Sequence, residues 1–513
     1  MTPPFPEDAL PTPPPGCPAH GLATGGSGTG GLGAGGLGAG GLRRLYGPEA
    51  EADPAGLYEK LRAEHGEVAP VLLHGDLPAW LIVGHSANLI AMRTPSRFSR
   101  DSRRWSAFQD GLVSPDSPLM PVIAWQPLCV FADGEEHKRL RGAVTDGLNS
   151  FDRRGVRRHV TRFTDQLVQE FGPTGRAELV TQFAEHLPML VMTQLVGMPE
   201  EYGPHLVSAA RDLMKGTETA IASNDYVVAT LRRMMERKRV SPGPDLVSRL
   251  MQHEAGLTDD EVLEHLRVVL LAANETTVNL IADTLKMVLT DQRFRTHLSG
   301  GHMTLADALD QVLWDAAPMS LVAGRWATGD TELGGQQIKA GDMLLLGLAA
   351  GNSDPAIRPD LATPLHGNRS HLAFGAGPHE CPGQDIGRAI AETGIDILLT
   401  RLPDLRLAVE EEELSWTSAW ISRHLSALPV EFTPRTPEGE RRAPTGTLPP
   451  PRSVPSTPPP ATPQAVGAQA TASQAVGVEP AGPAVAEDAL AAAVTVPRPR
   501  RSWWDALTRW FRP

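Results

Sequence analysis

The longest ordered pattern of apolar and polar positions lies in residues 258–289 and predicts one long helix. Thr258 stands as an N-cap before Asp259, Asp260 and Glu261, acids that suit a helix's first turn. The stretch Val268-Val-Leu-Leu-Ala272-Ala273 is apolar throughout, is broken by Asn274-Glu275-Thr276-Thr277, and then resumes. A carboxylate in so apolar a helix is costly without partners, so the break marks either a surfacing face or a site. A second helix is expected around Glu135-Glu-His137-Lys-Arg-Leu-Arg141, where His137 and Arg141 stand four apart on one face.

Toward both ends the periodicity disappears. Residues 1–44 are rich in Pro and Gly, with Gly-Gly-Leu-Gly-Ala repeated across 31–40, and residues 434–497 are dominated by Pro, Ala, Thr, Val and Gln. Neither segment can bury enough apolar surface to offset its ordering entropy. One large domain over 45–433 with disordered extensions follows. Pattern returns at 498–513. There Ser502 can cap a short helix carrying Trp503, Leu507 and Trp510 on one face, beside Trp504 and Phe511 and flanked by arginines. An aromatic, basic, amphipathic segment suits a membrane surface or a partner's groove, although about ten residues are marginal as an isolated helix.

Composition narrows the class. A formal net charge of −13 argues against a nucleic-acid binder. Cys17, Cys129 and Cys381 are the three cysteines; they form no disulfide framework and fit a reducing compartment. With no secretory pattern and no uninterrupted apolar stretch of spanning length, a cytoplasmic protein is expected, membrane-peripheral if the tail binds lipid. Gly28-Thr-Gly30-Gly-Leu-Gly33 matches a dinucleotide fingerprint as a bare string, but no strand pattern precedes it and no helix pattern follows.

The chemistry concentrates in His371-Leu-Ala-Phe374-Gly375-Ala-Gly377-Pro-His379-Glu-Cys381-Pro-Gly383-Gln. Glycines permit positive φ and close approach to a flat cofactor. A helix N-terminus and backbone N–H groups are expected to lower the pKa of Cys381 and keep its thiolate ready for a metal. A lone cysteine by a Gly-rich turn is more often structural. The spacing Phe374-x-x-Gly377-x-x-x-Cys381-x-Gly383, however, resembles the haem-binding signature of the cytochrome P450 superfamily. The order of segments from about 45 to 433 looks like a soluble actinobacterial member.

The resemblance implies the mainly α fold of that family with a small β region, and haem b held through iron by Cys381. It also assigns roles. Ala272-Ala273-Asn274-Glu275-Thr276 is similar to the distal-helix motif in which an acid and an alcohol relay protons, with Ala273 where the family usually has glycine. His137 and Arg141, Arg325 on a strand, and His379 would meet the haem carboxylates. Phe374, Gly377 and Gly383 would shape the pocket. Partners implied are O2, a hydrophobic small molecule, and a separate ferredoxin with its NAD(P)H-dependent reductase. Substrate contacts are expected from the 103–130 loop, the 268–276 helix face and residues 318–323.

One motif departs. Where the family carries Glu-x-x-Arg, this chain has Asp310-Gln311-Val-Leu-Trp314-Asp315, with Gln311 for the glutamate and Trp314 for the arginine. The third partner, an arginine further on, aligns with Thr363. All three charges of the triad are expected to be gone together, as in a minority of actinobacterial members. Losing one would strand a buried charge at roughly 3–5 kcal/mol, whereas losing all can be nearly neutral. The leading reading is a haem-thiolate monooxygenase. Ala273, the altered triad and the long tether suit an alternative, a haem-binding regulatory or interaction protein. Direct use of peroxide is a third reading, which the retained Glu275-Thr276 pair opposes.

Overall fold

The computed structural model describes residues 41–435, apart from 115–116, 216–218, 292–293, 295–303, 364, 366 and 419–420. The extension to residue 40, with Cys17 and the Gly28–Gly33 string, and residues 436–513, with the aromatic tail, lie outside the described residues. Folded chain begins slightly before residue 45. Leu42 is buried, and β1 (Arg43–Arg44) pairs in parallel with β2 (Val68–Leu73). A short apolar–basic segment after a Gly repeat carries no periodicity, yet it completes a sheet edge.

The helices that frame the site are α1 (Gly134–Asn149), α2 (Arg153–Phe171), α3 (Leu187–Val196), α4 (Asp259–Thr290), α5 (Leu305–Asp315) and α6 (Gln384–Arg401). The expected long helix is α4. The Thr258 side chain and Glu261 form a reciprocal capping box, which satisfies two N-terminal donors and fixes where the helix starts. By length and hydropathy α4 would qualify as a membrane span. Instead it runs through the protein core: Leu266, Leu270, Ile281 and Leu285 pack with Phe163 of α2, Val191 of α3 and Ile395 of α6. A helix buried on several sides needs no polar face, which explains its composition.

The main sheet has the order β1-β2-β3-β6-β5-β4, with β3 (Leu77–Ile82), β4 (Phe98–Ser99), β5 (Leu321–Ala327) and β6 (Met343–Gly347). β2, β3 and β6 are buried at every position, hence their unbroken apolar runs. Between Val322 and Arg325 the β5–β6 register shifts. Gly324 sits there at φ +92°, and a Cβ on it would meet the Trp326 ring at 2.7 Å. Such a bulge re-aims the next side chain, here Arg325. A hairpin of β7 (Trp416–Ser418) and β8 (Arg423–Leu425) packs against α4. It is tied to β5 because Ser320 N and Leu321 N both donate to Ile421 O.

Candidate functional site

A cavity of about 360 Å³ lies between α4, the end of α1, strand β5 and the Cys381 loop. The loop is held by its own backbone. Cys381 N donates to Phe374 O at 2.8 Å and Gly375 N to Leu372 O at 2.7 Å. Gly375 and Gly377 adopt φ of +70° and +72°, and a Cβ on Gly377 would sit 2.8 Å from Met92 O. Only glycine fits there. Phe374, His379, Cys381 and Gly383 face the cavity; Gly377 serves the turn behind it. The expected lowering of the Cys381 pKa is corrected by the structure. Burial pushes the thiol up, and it outweighs the N–H groups of Gly383 and Gln384 and the Arg141 charge. A dry pocket disfavours a bare thiolate, so a bound cation must hold the deprotonated form.

One rim of the cavity is rich in cationic and imidazole groups. Arg325 is 2% exposed, and its Nε and Nη1 are buried without a hydrogen-bond partner. Burial, then the nearby Arg100, lowers it to about 9. His137 does not line the cavity but stacks on His379 with ring centroids 4.1 Å apart, and Nε2 of each is buried without a partner. Burial first, then neighbouring charge, takes His137 down to about 4; burial, opposed by Asp133, takes His379 to about 3. Arg141 reaches the cavity too and donates to Glu380 O. Asp133 is the carboxylate among them. Against its own burial, the His379 imidazole 3.5 Å away and hydrogen bonds from the Ser99 hydroxyl and the Arg100 backbone hold it at about 2.

Arg100 has no place among the sequence expectations. It follows Phe98-Ser99 with no distinctive spacing, yet it is buried beside Arg325 and lines the cavity. Its guanidinium donates to Val130 O, Ala323 O and Gly324 O, which brace the bulge that aims Arg325.

The opposite wall is α4. Val268, Val269, Ala272, Ala273 and Thr276 face inward, and the Thr276 hydroxyl donates to Ala272 O at 2.7 Å. Glu275 does not line the cavity; its Oε1 lies 3.8 Å from His424 Nδ1 on β8. Of the expected substrate-contact segments, Cys129 and Val130 represent the 103–130 loop, and Pro318, Met319 and Val322 represent 318–323. Met92, Met192 and Leu280 join from elements whose closeness no local pattern announces.

No protein-family model matches the chain. Curated relatives nevertheless match it along nearly their whole length. Cytochrome P450-SU2 of Streptomyces griseolus is 30% identical over 393 residues, 75% of this chain and 95% of its own. The P450 monooxygenase PikC of Streptomyces venezuelae is 30% identical over 408 residues, 77% and 95%. The chain belongs to the cytochrome P450 superfamily. The testosterone-bound P450 CYP154C4 of a Streptomyces species superposes with a TM-score of 0.68 at 27% identity, covering 74% of this chain and 95% of that one.

As a P450, the protein is an oxidoreductase of the monooxygenase type that uses O2 and redox partners. Its cofactor is haem, with a cysteine thiolate as axial iron ligand. The residues present fit that group. Unpartnered nitrogens of Arg325, His137 and His379 gather where two carboxylates would be welcome, and the half-buried Cys381 faces the same cavity.

This P450 has not simply lost its charged triad; the charges stand elsewhere. The expectation that all were gone is corrected by Asp315, one turn beyond Gln311, which pairs at 2.7 Å with the buried Arg358. Gln311 bridges them to the backbone: its Nε2 donates to Asp315 Oδ2 at 2.8 Å and its Oε1 accepts from Leu365 N at 2.9 Å. The Trp314 indole donates to Asn368 O at 2.8 Å and stacks near His85. On the other side of α5, Asp310 pairs with Arg388 of α6, and Arg369 lies 3.6 Å away. Alignment to a motif asks only about fixed positions, so acids at 310 and 315 escape it.

Proposed function

We propose that this P450 inserts one oxygen atom from O2 into a hydrophobic small organic molecule, drawing electrons from a separate ferredoxin and NAD(P)H-dependent reductase. The observation that carries the reading is the cavity itself. Cys381 faces it from one wall and Thr276 from another, between apolar side chains. Haem bound there supplies oxygen activation, with the thiolate donating electron density that favours O–O cleavage. Cys381 would be the iron ligand, in a loop that Phe374, Gly377 and Gly383 hold in shape. Arg325, His137, His379 and Arg141 would grip the carboxylates and fix the plane of the ring. Glu275 and Thr276 would pass protons toward the oxygen pocket.

The electron donor is supported by charge. Arg153, Arg154, Arg157 and Arg158 are all exposed on α2, in a chain whose net charge is −13. Arg153 reaches Asp385 at the start of α6, so this basic face adjoins the Cys381 loop. An acidic ferredoxin docked there would place its cluster close to the thiolate side of the haem. Such chemistry fits a reducing cytoplasm, where Cys129 and Cys381 stay out of disulfides.

The regulatory alternative loses ground, because the altered α5 is fully hydrogen-bonded and Thr276 faces the cavity. The reduced, CO-bound absorption spectrum of the purified protein tests the reading. The Soret band of thiolate-ligated haem is expected, and its replacement in Cys381→Ser. A wild-type spectrum without that band, with haem present, would refute the assignment.

A further inference from the structure

Glu275 precedes Thr276 on α4, yet it faces the β7–β8 hairpin rather than the cavity. His424 meets it there, Nδ1 to Oε1 at 3.8 Å, with side chains 26% and 21% exposed. Nδ1 of His424 is buried without a hydrogen-bond partner, while the ring as a whole keeps contact with solvent. The imidazole thus spans from the acid to the outside. Its placement is rigid. Thr417 lies opposite it in the ladder, the Arg423 guanidinium lies 4.8 Å over the Trp416 ring, and Ile421 O ties the hairpin to β5.

We propose that His424 is the proton-supplying residue for Glu275, a positioning residue that serves the oxygen pocket through the acid–alcohol pair. This rests on the reading of Glu275 and Thr276 given above. The neutral ring with its proton on Nδ1 takes a second proton from solvent at Nε2, and the imidazolium so formed gives its Nδ1 proton to the carboxylate, directly or across one water; a turn of the ring about Cβ–Cγ then restores the starting tautomer. No electrons move in this step. Histidine suits the task because its charge changes near neutral pH. Other charged groups face the same seam. Asp283 lies two turns along α4, raised to about 7 by burial against the pull of Lys286 and Arg423. Lys286 in turn pairs with Glu411 beneath the hairpin.

The test uses full-length, haem-loaded protein and needs no substrate. Protein reduced with dithionite is mixed with air-saturated buffer, and its reoxidation is followed at the Soret band between pH 6 and 8 in light and heavy water. Each variant's CO spectrum first shows that its thiolate-ligated haem is intact. With His424→Gln, reoxidation is expected to slow by roughly ten-fold or more, and its acceleration toward low pH to flatten. Glu275→Gln should slow it as well. The double variant should be no slower than Glu275→Gln, because both residues lie on one path. A His424→Gln protein with wild-type rate and pH dependence, beside a slowed Glu275→Gln, overturns the role of His424 alone. So does a double variant slowed by the product of the two effects. If neither single variant is slowed, the acid–alcohol reading falls too.

Discussion

Replacing Asp310 by asparagine tests whether the displaced charges hold the haem-binding half together. Asp310 and Arg388 are 2% and 10% exposed at their side chains, and they join α5 to α6. Arg388 stands seven residues past Cys381, on the helix that starts from its loop. Asp310→Asn leaves the guanidinium buried, while Arg369, a second basic neighbour of Asp310, lies outside in solvent. Breaking a buried pair from one side costs roughly 3–5 kcal/mol. For a folded unit of this size, at about 2.1 cal/mol/K of unfolding entropy per residue, Tm should fall by roughly 4–6 °C. Removing both charges, as Asp310→Leu with Arg388→Met, should recover most or all of that loss, because no charge is then stranded. The assay is thermal unfolding of haem-loaded protein, with the CO spectrum recorded alongside. In the single variant the band should shift partly from thiolate toward neutral thiol ligation, as α6 loses its brace. A single variant as stable as wild type, or a double variant worse than the single, refutes the reasoning.

Arg325→Ala should weaken haem retention by roughly 10–100-fold, the worth of one charge-assisted carboxylate contact; the haem-to-protein ratio on purification measures it, and an unchanged ratio removes Arg325 from the rim. Gln311→Glu restores the family's residue but should destabilise by about 1–3 kcal/mol, since it deletes the donor to Asp315 and sets two carboxylates together; chemical denaturation reports it. His371 is buried with both ring nitrogens unpartnered, and burial lowers it to about 4. A histidine depressed from 6.5 is neutral in the fold, while the unfolded chain takes up a proton below 6.5. Its contribution to stability is thus complete above pH 6.5 and is lost as pH falls toward 4. His371→Phe should flatten that part of the Tm-against-pH curve.

The site was legible where chemistry is local in sequence. The Cys381 loop, the α4 motif and the His137–Arg141 pair each occupy a few consecutive turns, and the structure brings them to one cavity or its rim. Arg325 was legible as a strand arginine, but the bulge that aims it depends on Gly324 and on Arg100, which is more than two hundred residues away. Two expectations failed because local rules omit tertiary terms. The thiol of Cys381 sits near helix N–H groups as anticipated, yet burial outweighs them. The edge strand at Arg43–Arg44 has no pattern of its own, because its register comes from Val71 and Leu72.

The α5 network shows why charge position is less constrained than charge balance. A carboxylate at 311 without an arginine at 314 would be unpaired, and in this chain it would also face Asp315. Neutral Gln311 avoids both costs and still satisfies two polar partners, one donor and one acceptor. Trp314 fills the volume of the missing arginine and keeps a single N–H, spent on Asn368 O. The acid moves one turn along the same helical face, and its cation comes from Arg358, beyond β6, instead of from α5 itself. What the fold requires at this point is a satisfied link from α5 to the segment leading into the Cys381 loop. A neutral bridge flanked by two ion pairs provides that link, so altered spelling at 311 and 314 is compatible with an intact haem pocket.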